Sequence, residues 1–465
     1  MAEAEQKGAG SLSPLFWGLT ATYLILSIWF ATASVREETI PLQGMFLILF
    51  VCYVGLCWIA FKTSAHMRIL VGVLLLSRLI FLPSVPTLSD DVYRFLWDGT
   101  LSLQGINPFA HLPSELMEGK VTVEGFVGNS ALYSQMNSPN YYTIYPPICQ
   151  GVFALAAGLS QGWIWLGIVL IRLVLIGAEC RAIWVLWLIL RHQGLNPAGI
   201  FLYALNPLVL LEITGNLHFE GLMIWFLLEA IWNFQRGQMN RSALWMALAV
   251  STKLLPLIFL PLLLRRLSIR QQAAYYGIVG FVTVLLLSPL LSTAFLNGFG
   301  SSIKLYFQTF EFNPSVYLIA RAIGYWYKGW NMIEQNGKMM AILTFLAIMS
   351  YALVWGTQKR ALPLCMQIVW FLYLFFALTV HPWYALPLVA FAPLTGYRFG
   401  ILWSYTIFWT YAGYSSEGYT ESIPLIAVEY GLVFVVLLWE WWRGPLGKEL
   451  VLSSPSTAIP NESIH

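Results

Sequence analysis

Apolar runs of about 20 residues recur along nearly the whole of this chain, and a segment of that length and character is long enough to cross a hydrocarbon layer. Between the runs charge is scarce: 10% of residues are charged and 58% are hydrophobic, where a soluble domain carries about 25% charge. Backbone polar groups in lipid must be satisfied within their own segment, so the chain is read as an all-α polytopic membrane protein, a single domain over residues 1–465. Candidate segments are 14–34, 40–61, 69–83, 145–160, 162–190, 196–214, 218–235, 242–264, 272–295, 338–357, 362–380, 383–396, 399–414 and 423–443, about 12–14 transmembrane helices. The first dozen residues are polar, carry Glu3 and Glu5, and lead into 14–34, which is read as a retained helix rather than a cleaved signal. Two polar stretches interrupt the pattern, residues 84–144 and 297–337. The net charge of +3 offers no track for nucleic acid, and the five cysteines show no metal-ligand spacing.

Lys and Arg in short loops mark the cytoplasmic side. Lys62 with Arg68, Arg236 with Arg241, Arg265 with Arg266 and Arg270, Lys359 with Arg360, and Arg443 with Lys448 are placed there, with both termini, which puts 84–144 and 297–337 outside. One crossing per candidate would leave Arg191 and Arg236 on the wrong side. The conflict disappears if 145–190 cross only once and 242–264 form a re-entrant hairpin with Lys253 near its tip, where Pro256 removes a helix donor.

The run SDDVYRFLWDG, residues 89–99, sets two adjacent carboxylates just beyond the apolar segment 69–83. Asp90 and Asp91 therefore emerge where a membrane helix meets water. Residues 90–104 have helical character, with Ser89 as cap and Gly105 and Pro108 as stops. Val92, Phe95, Leu96 and Leu103 share one face, so the helix is expected to lie in the interface with that face in lipid, as part of a large external loop carrying amphipathic interfacial helices. Capping is the plain role for one Asp, but a cap needs only one.

Followed by QGINPFAH, YYTIYPP, NLHFEGL, STKLLPLIFLPLLLRR and HPWYALP, this run resembles in order and spacing the GT-C superfamily of integral-membrane glycosyltransferases. The similarity, from residue 69 to about 390, is greatest to bacterial polyprenyl-phosphate-mannose-dependent mannosyltransferases and fainter to the first mannosyltransferase of GPI-anchor synthesis. The resemblance implies a catalytic acidic residue in the first external loop, here Asp90 or Asp91, a choice the doublet leaves open. It also implies transfer of a hexose, with mannose favoured, from a polyprenyl-phosphate donor to a glycan or glycolipid acceptor. The location implied is a cell (inner) membrane, with the active site on the extracytoplasmic side.

Such a donor already carries its leaving group, so the chemistry needs a base for the acceptor hydroxyl and cations for the departing phosphate. Direct displacement inverts the anomeric centre. Arg94 and Lys253 are the candidate phosphate cations, since an ionisable side chain within a span is costly unless used; for Lys253 the alternative is snorkelling to the surface. Arg172 and Arg181 are also cationic, but an ion pair with Glu179 inside the bundle is the favoured reading. His218 and Glu220 are candidate substrate-binding groups or a helix cap. His381 and Trp383 are candidate sugar contacts or part of an aromatic belt, and Tyr145 shapes the rim. Residues 297–337, with Glu311, Asn313 and Lys328, are read as a cover for the acceptor cleft. No metal or other cofactor is expected, because with a monophosphate donor Lys and Arg suffice. The rival function is a transporter or flippase for a lipid-linked sugar, which the lack of internal duplication disfavours.

Overall fold

The structure, a computed structural model, describes residues 13–63, 66–308, 310–357 and 359–444. Glu3, Glu5 and Lys448 lie outside the described residues. The chain is helical almost throughout, and one two-stranded hairpin, Tyr414–Ser415 with Gly418–Tyr419, is the only sheet among the described residues. It is an all-α polytopic membrane protein. Five described helices are long and apolar enough to cross a membrane: Pro14–Thr32, Thr39–Lys62, Ile164–His192, Ile333–Trp355 and Ile423–Arg443. The bent pair Pro197–Ala204 and Pro207–Gly215, inclined by 55°, makes a sixth if taken as one span.

That count is smaller than the 12–14 transmembrane helices read from the sequence. Several apolar runs fold as short helices: Pro147–Ser160 has 14 residues, Glu220–Gln235 has 16 and Leu362–Phe376 has 15. At 1.5 Å per residue these are about 21–24 Å long, less than the hydrocarbon thickness of about 30 Å. Proline explains other breaks. Pro261 lies inside the 3-10 segment Leu255–Leu263 and Pro393 inside Leu386–Thr395.

Between residues 147 and 192 only Ile164–His192 is long enough to cross. The helix Met239–Thr252 breaks at Lys253, and Leu255–Leu263 returns alongside it, with Ser242 and Met246 beside Phe259 and Leu263. The two segments form a hairpin with Lys253 at its turn, the shape by which the charge pattern could be reconciled.

The loop helix, Asp91–Leu103, does not rest its apolar face on lipid as expected. Val92, Phe95 and Leu96 are buried against protein, Phe95 stacking on Phe153 at 4.6 Å and meeting Phe219 edge-on. Gly99 permits this closeness, since a Cβ there would stand 2.2 Å from the Phe153 carbonyl oxygen. On the other face Arg94 and Asp98, one helical turn apart, form a buried ion pair at 2.7 Å.

The intrabundle pairs also differ from expectation. Arg172 donates to the carbonyls of Leu82, Ser84, Thr214 and Gly215, Glu179 pairs with Arg78 at 3.0 Å, and Arg181 pairs with Glu229 at 2.6 Å. Spacing along one helix could not reveal partners contributed by three other segments.

Candidate active site

Asp90 and Asp91 begin the loop helix, yet neither carboxylate is spent on a cap; the Asp91 amide bonds instead to the Ser89 hydroxyl oxygen. The two side chains part. Asp90 turns to Arg36 at 3.0 Å, and that guanidinium also lies over the Tyr414 ring. Asp91 turns inward, where Asn137 donates to Oδ1 at 3.0 Å and the Tyr145 hydroxyl to Oδ2 at 3.1 Å.

Facing Asp91 is His218, whose Nε2 is 3.7 Å from Oδ2, an ion-pair rather than a hydrogen-bond separation. The backbone places it deliberately. Leu210–Gly215 forms a π-helical turn, and Leu217 adopts a left-handed φ of 67°, a conformation unfavourable for a branched side chain and sustained only by its surroundings. The ring is fixed from behind by Glu212, whose Oε2 lies 3.0 Å from Nδ1 and which also accepts from Tyr411 and Asn216. His218 Nε2 is buried, lines the cavity and has no hydrogen-bond partner among the described residues; with Nδ1 facing the Glu212 carboxylate, it is a donor when the ring is protonated. Burial disfavours the imidazolium, but Asp91 and Glu212 on either side outweigh it and raise His218 to about 9. Burial likewise pushes the Asp91 carboxyl up. His218 and Asn137 overcome that and hold it at about 2.

Trp383 lies between two histidines, its ring centroid 3.7 Å from that of His218 and 4.4 Å from that of His381, both nearly parallel. Two rings so close cannot share one face, so an imidazole lies on each side of the indole and takes up stacking surface that a sugar would use. Burial holds His381 low, at about 3, leaving it neutral. Lys253, at the hairpin turn, forms an ion pair with Glu220 and lies 4.6 Å from the centre of the Tyr384 ring. Its side chain is thus directed into the site rather than snorkelling away.

Two cavities meet here. One, of about 570 Å³, contains His218, Glu220 and Lys253 at its polar end and continues between apolar side chains. Gly337, Met340, Ala341, Thr344, Phe345, Ile348 and Met349 of helix Ile333–Trp355 line it at intervals of three and four. That stripe is about 18 Å long. The second, of about 320 Å³, is lined by Arg36, Asp90, Arg94, Asn137 and several tyrosines, with Phe310 and Phe312 from the second polar stretch. Asp91, Ile144, Tyr145, His381 and Trp383 border both.

Of the residues singled out in the sequence, Asp91, Tyr145, His218, Glu220, Lys253, His381 and Trp383 therefore share one wall or cavity. Asp90 and Arg94 line the second cavity only. Arg94 is moreover engaged by Asp98 and by the carbonyls of Ser138 and Tyr141. Glu311 pairs with Arg321, and Asn313 is buried against Glu421 and Glu429, so in the second stretch Phe310 and Phe312 reach the site instead. Glu212, Asn137 and Arg36 were missed. Glu212 alone carried a usable signal, a carboxylate inside an apolar run. Among the described residues no group of three or more His, Cys, Asp or Glu side chains is placed to hold a metal ion.

Residues 10–267, more than half of the chain, match the family described as alpha-(1->6)-mannopyranosyltransferase, N-terminal domain. The chain belongs to that family. It is 24% identical over 195 residues to alpha-(1->6)-mannopyranosyltransferase B of Corynebacterium glutamicum, covering 40% of this chain and 31% of the relative. It is 27% identical over 220 residues to alpha-(1->6)-mannopyranosyltransferase A of Mycobacterium tuberculosis, covering 45% and 40% respectively. The chain thus spans less than half the length of these curated relatives. Family membership agrees with the resemblance to polyprenyl-phosphate-mannose-dependent enzymes, and the matched region includes Asp90, Asp91, Glu212, His218, Glu220 and Lys253.

Proposed function

We propose that this protein is an inverting mannosyltransferase that uses a polyprenyl-phosphate donor and acts on the extracytoplasmic side of the cell membrane. The observation that carries the reading is the position of Asp91 on the wall shared by an apolar cavity and a polar one. The apolar cavity suits a prenyl chain laid along Ile333–Trp355, and the polar one suits a glycan or glycolipid acceptor. The mannose is supported by the names of the relatives.

In this reading the donor phosphate meets Lys253, which exchanges part of its pairing with Glu220 for the phosphate oxygens. The His218 Nε2–H, unpartnered in the free site, is a second donor toward the reacting centre. The acceptor oxygen attacks the anomeric carbon from the side opposite the phosphate. Its proton passes to Asp91, the carbon–oxygen bond to phosphate breaks, and polyprenyl phosphate departs with the bonding pair. A carboxylate held at about 2 is a weak base, but the reacting sugar is oxocarbenium-like at the transition state, so the hydroxyl loses its proton late. Asp90 is assigned to orienting the loop through Arg36. Phosphate charge is met by Lys253 and His218 without a metal. Inversion yields an α linkage only from a β-linked donor.

The test is transfer from synthetic polyprenyl-phosphate-mannose to an acceptor mannoside by purified protein, with and without EDTA. Asp91→Asn is expected to lower kcat by a factor on the order of 10³, the scale of positioned proton transfer, and Asp90→Asn by far less. Full activity in Asp91→Asn, or lipid scrambling with no transfer, would replace this reading with another base or with a transporter. Loss in EDTA restored by magnesium or manganese would overturn the metal-free part.

A further inference from the structure

A second polar cavity, of about 410 Å³, lies at the end of the bundle opposite Asp91. Its position follows from connectivity. Helix Glu220–Gln235 leaves the active site at Glu220 and ends beside the cavity about 24 Å away, and Met239–Thr252 returns from the cavity to Lys253. The walls carry Arg181, Arg236 and Arg241, with Trp232 and Trp245 between them, and one carboxylate, Glu229.

The charges do not balance. Arg181 pairs with Glu229 at 2.6 Å while its side chain stays 46% exposed. Arg236 lies over the Trp232 ring at 5.3 Å, and Arg241 donates to Gln238. Among the described residues neither of these two has a carboxylate partner, so the cavity keeps a surplus of about two positive charges. Guanidinium forks suit phosphate oxygens, and tryptophan is favoured at the level of lipid headgroups. The short helices matter as well. At 16 and 14 residues they are about 24 and 21 Å long, so with Glu220 and Lys253 near one face of the bilayer the turn at 236–238, with Arg236 and Arg241 beside it, falls at the level of the opposite headgroups.

We infer that the cavity bounded by Arg181, Arg236 and Arg241 is a binding site for the phosphate of an anionic glycerophospholipid in the leaflet opposite the active site. The surplus charge selects an anionic over a zwitterionic headgroup. A lipid seated there ties Glu220–Gln235 and Met239–Thr252 together at their far ends, and these are the two helices that bring Glu220 and Lys253 into contact.

The test is native mass spectrometry of the detergent-purified full chain, titrated with phosphatidylglycerol, phosphatidylcholine or inorganic phosphate, and it does not depend on transferase activity. Phosphatidylglycerol is expected to bind in preference to phosphatidylcholine, with inorganic phosphate at equal concentration failing to displace it. Arg236→Gln with Arg241→Gln should weaken binding by about fivefold per arginine. Leu244→Glu, which sets a negative charge on the exposed rim, should weaken it as well, and serves if the double variant melts early. Arg265→Gln with Arg270→Gln, exposed residues that do not line the cavity, should leave it unchanged. Equal loss in that control would reduce the effect to diffuse attraction. Undiminished binding in both cavity variants, or displacement by inorganic phosphate, would overturn the lipid site.

Discussion

His218 carries the central charge of the site, and its environment decides when it is present. The folded protein raises this imidazole from 6.5 to about 9, so the protonated form is the one that the fold stabilises. That stabilisation is complete below about pH 6.5, declines as pH rises, and is gone above about 9. Transfer is therefore expected to hold across neutral pH and to fall on an alkaline limb near 9, while Asp91, ionised down to about 2, contributes no acid limb in the working range. Glu212→Gln removes one of the two carboxylates that favour the cation and should move the limb toward neutrality; His218→Gln should lower kcat and abolish the limb. A limb unmoved in both variants would assign it to another group. The sequence showed most of the participants but not their connections. The acidic doublet, His218, Lys253 and His381 stood out because polar groups are conspicuous in an apolar chain. The preference for Asp91 over Asp90 comes from packing, because Arg36, 54 positions earlier, draws one carboxylate away, and a doublet contains no trace of that.

At the scale of elements, Ile333–Trp355 gives the apolar cavity its length by presenting residues at intervals of three and four, as one face of a helix must. Its amphipathy is hidden from the sequence, since a face that meets a prenyl chain is as apolar as one that meets bilayer. Filling the stripe is the direct probe. Ala341→Trp adds a bulky ring midway along the cavity, and overfilling of a packed apolar site costs about 1–3 kcal/mol. KM for a long-chain donor should rise about tenfold or more, with little change for a short-chain analogue whose tail ends above residue 341. Equal effects on both donors would mean that the chain lies elsewhere. The hairpin around Lys253 was legible for a different reason. A hairpin there reconciled the loop charges, and Pro256 lies just past the break at Lys253. The loop helix was the opposite case, because its apolar face fits lipid and protein equally well. Only Gly99, set against the Phe153 carbonyl, records the partner that it found.

For the molecule as a whole, charge and chemistry separate along the bundle. Arg36, Asp90 and Asp91 gather at one end, while Arg266 donates to the Arg360 carbonyl and Arg360 approaches Trp441 at the other. The helix Thr39–Lys62 joins the two ends, beginning just past Arg36 and finishing at Lys62. In the orientation proposed above, which follows the positive-inside rule, the basic end faces the cytoplasm and both cavities beside Asp91 face outward. The described cysteines are buried or half-buried, which leaves a quiet background for added thiols. Ser134→Cys, on the exposed side of the short helix Ser130–Gln135, and Arg270→Cys, at the basic end, report the two sides. In intact spheroplasts a membrane-impermeant maleimide should label the first variant and reach the second only after permeabilisation. The reverse pattern would place Asp91 in the cytoplasm. Donor and acceptor would then have to be supplied from that side, and the extracytoplasmic reaction proposed here would fail, whatever the geometry of the site.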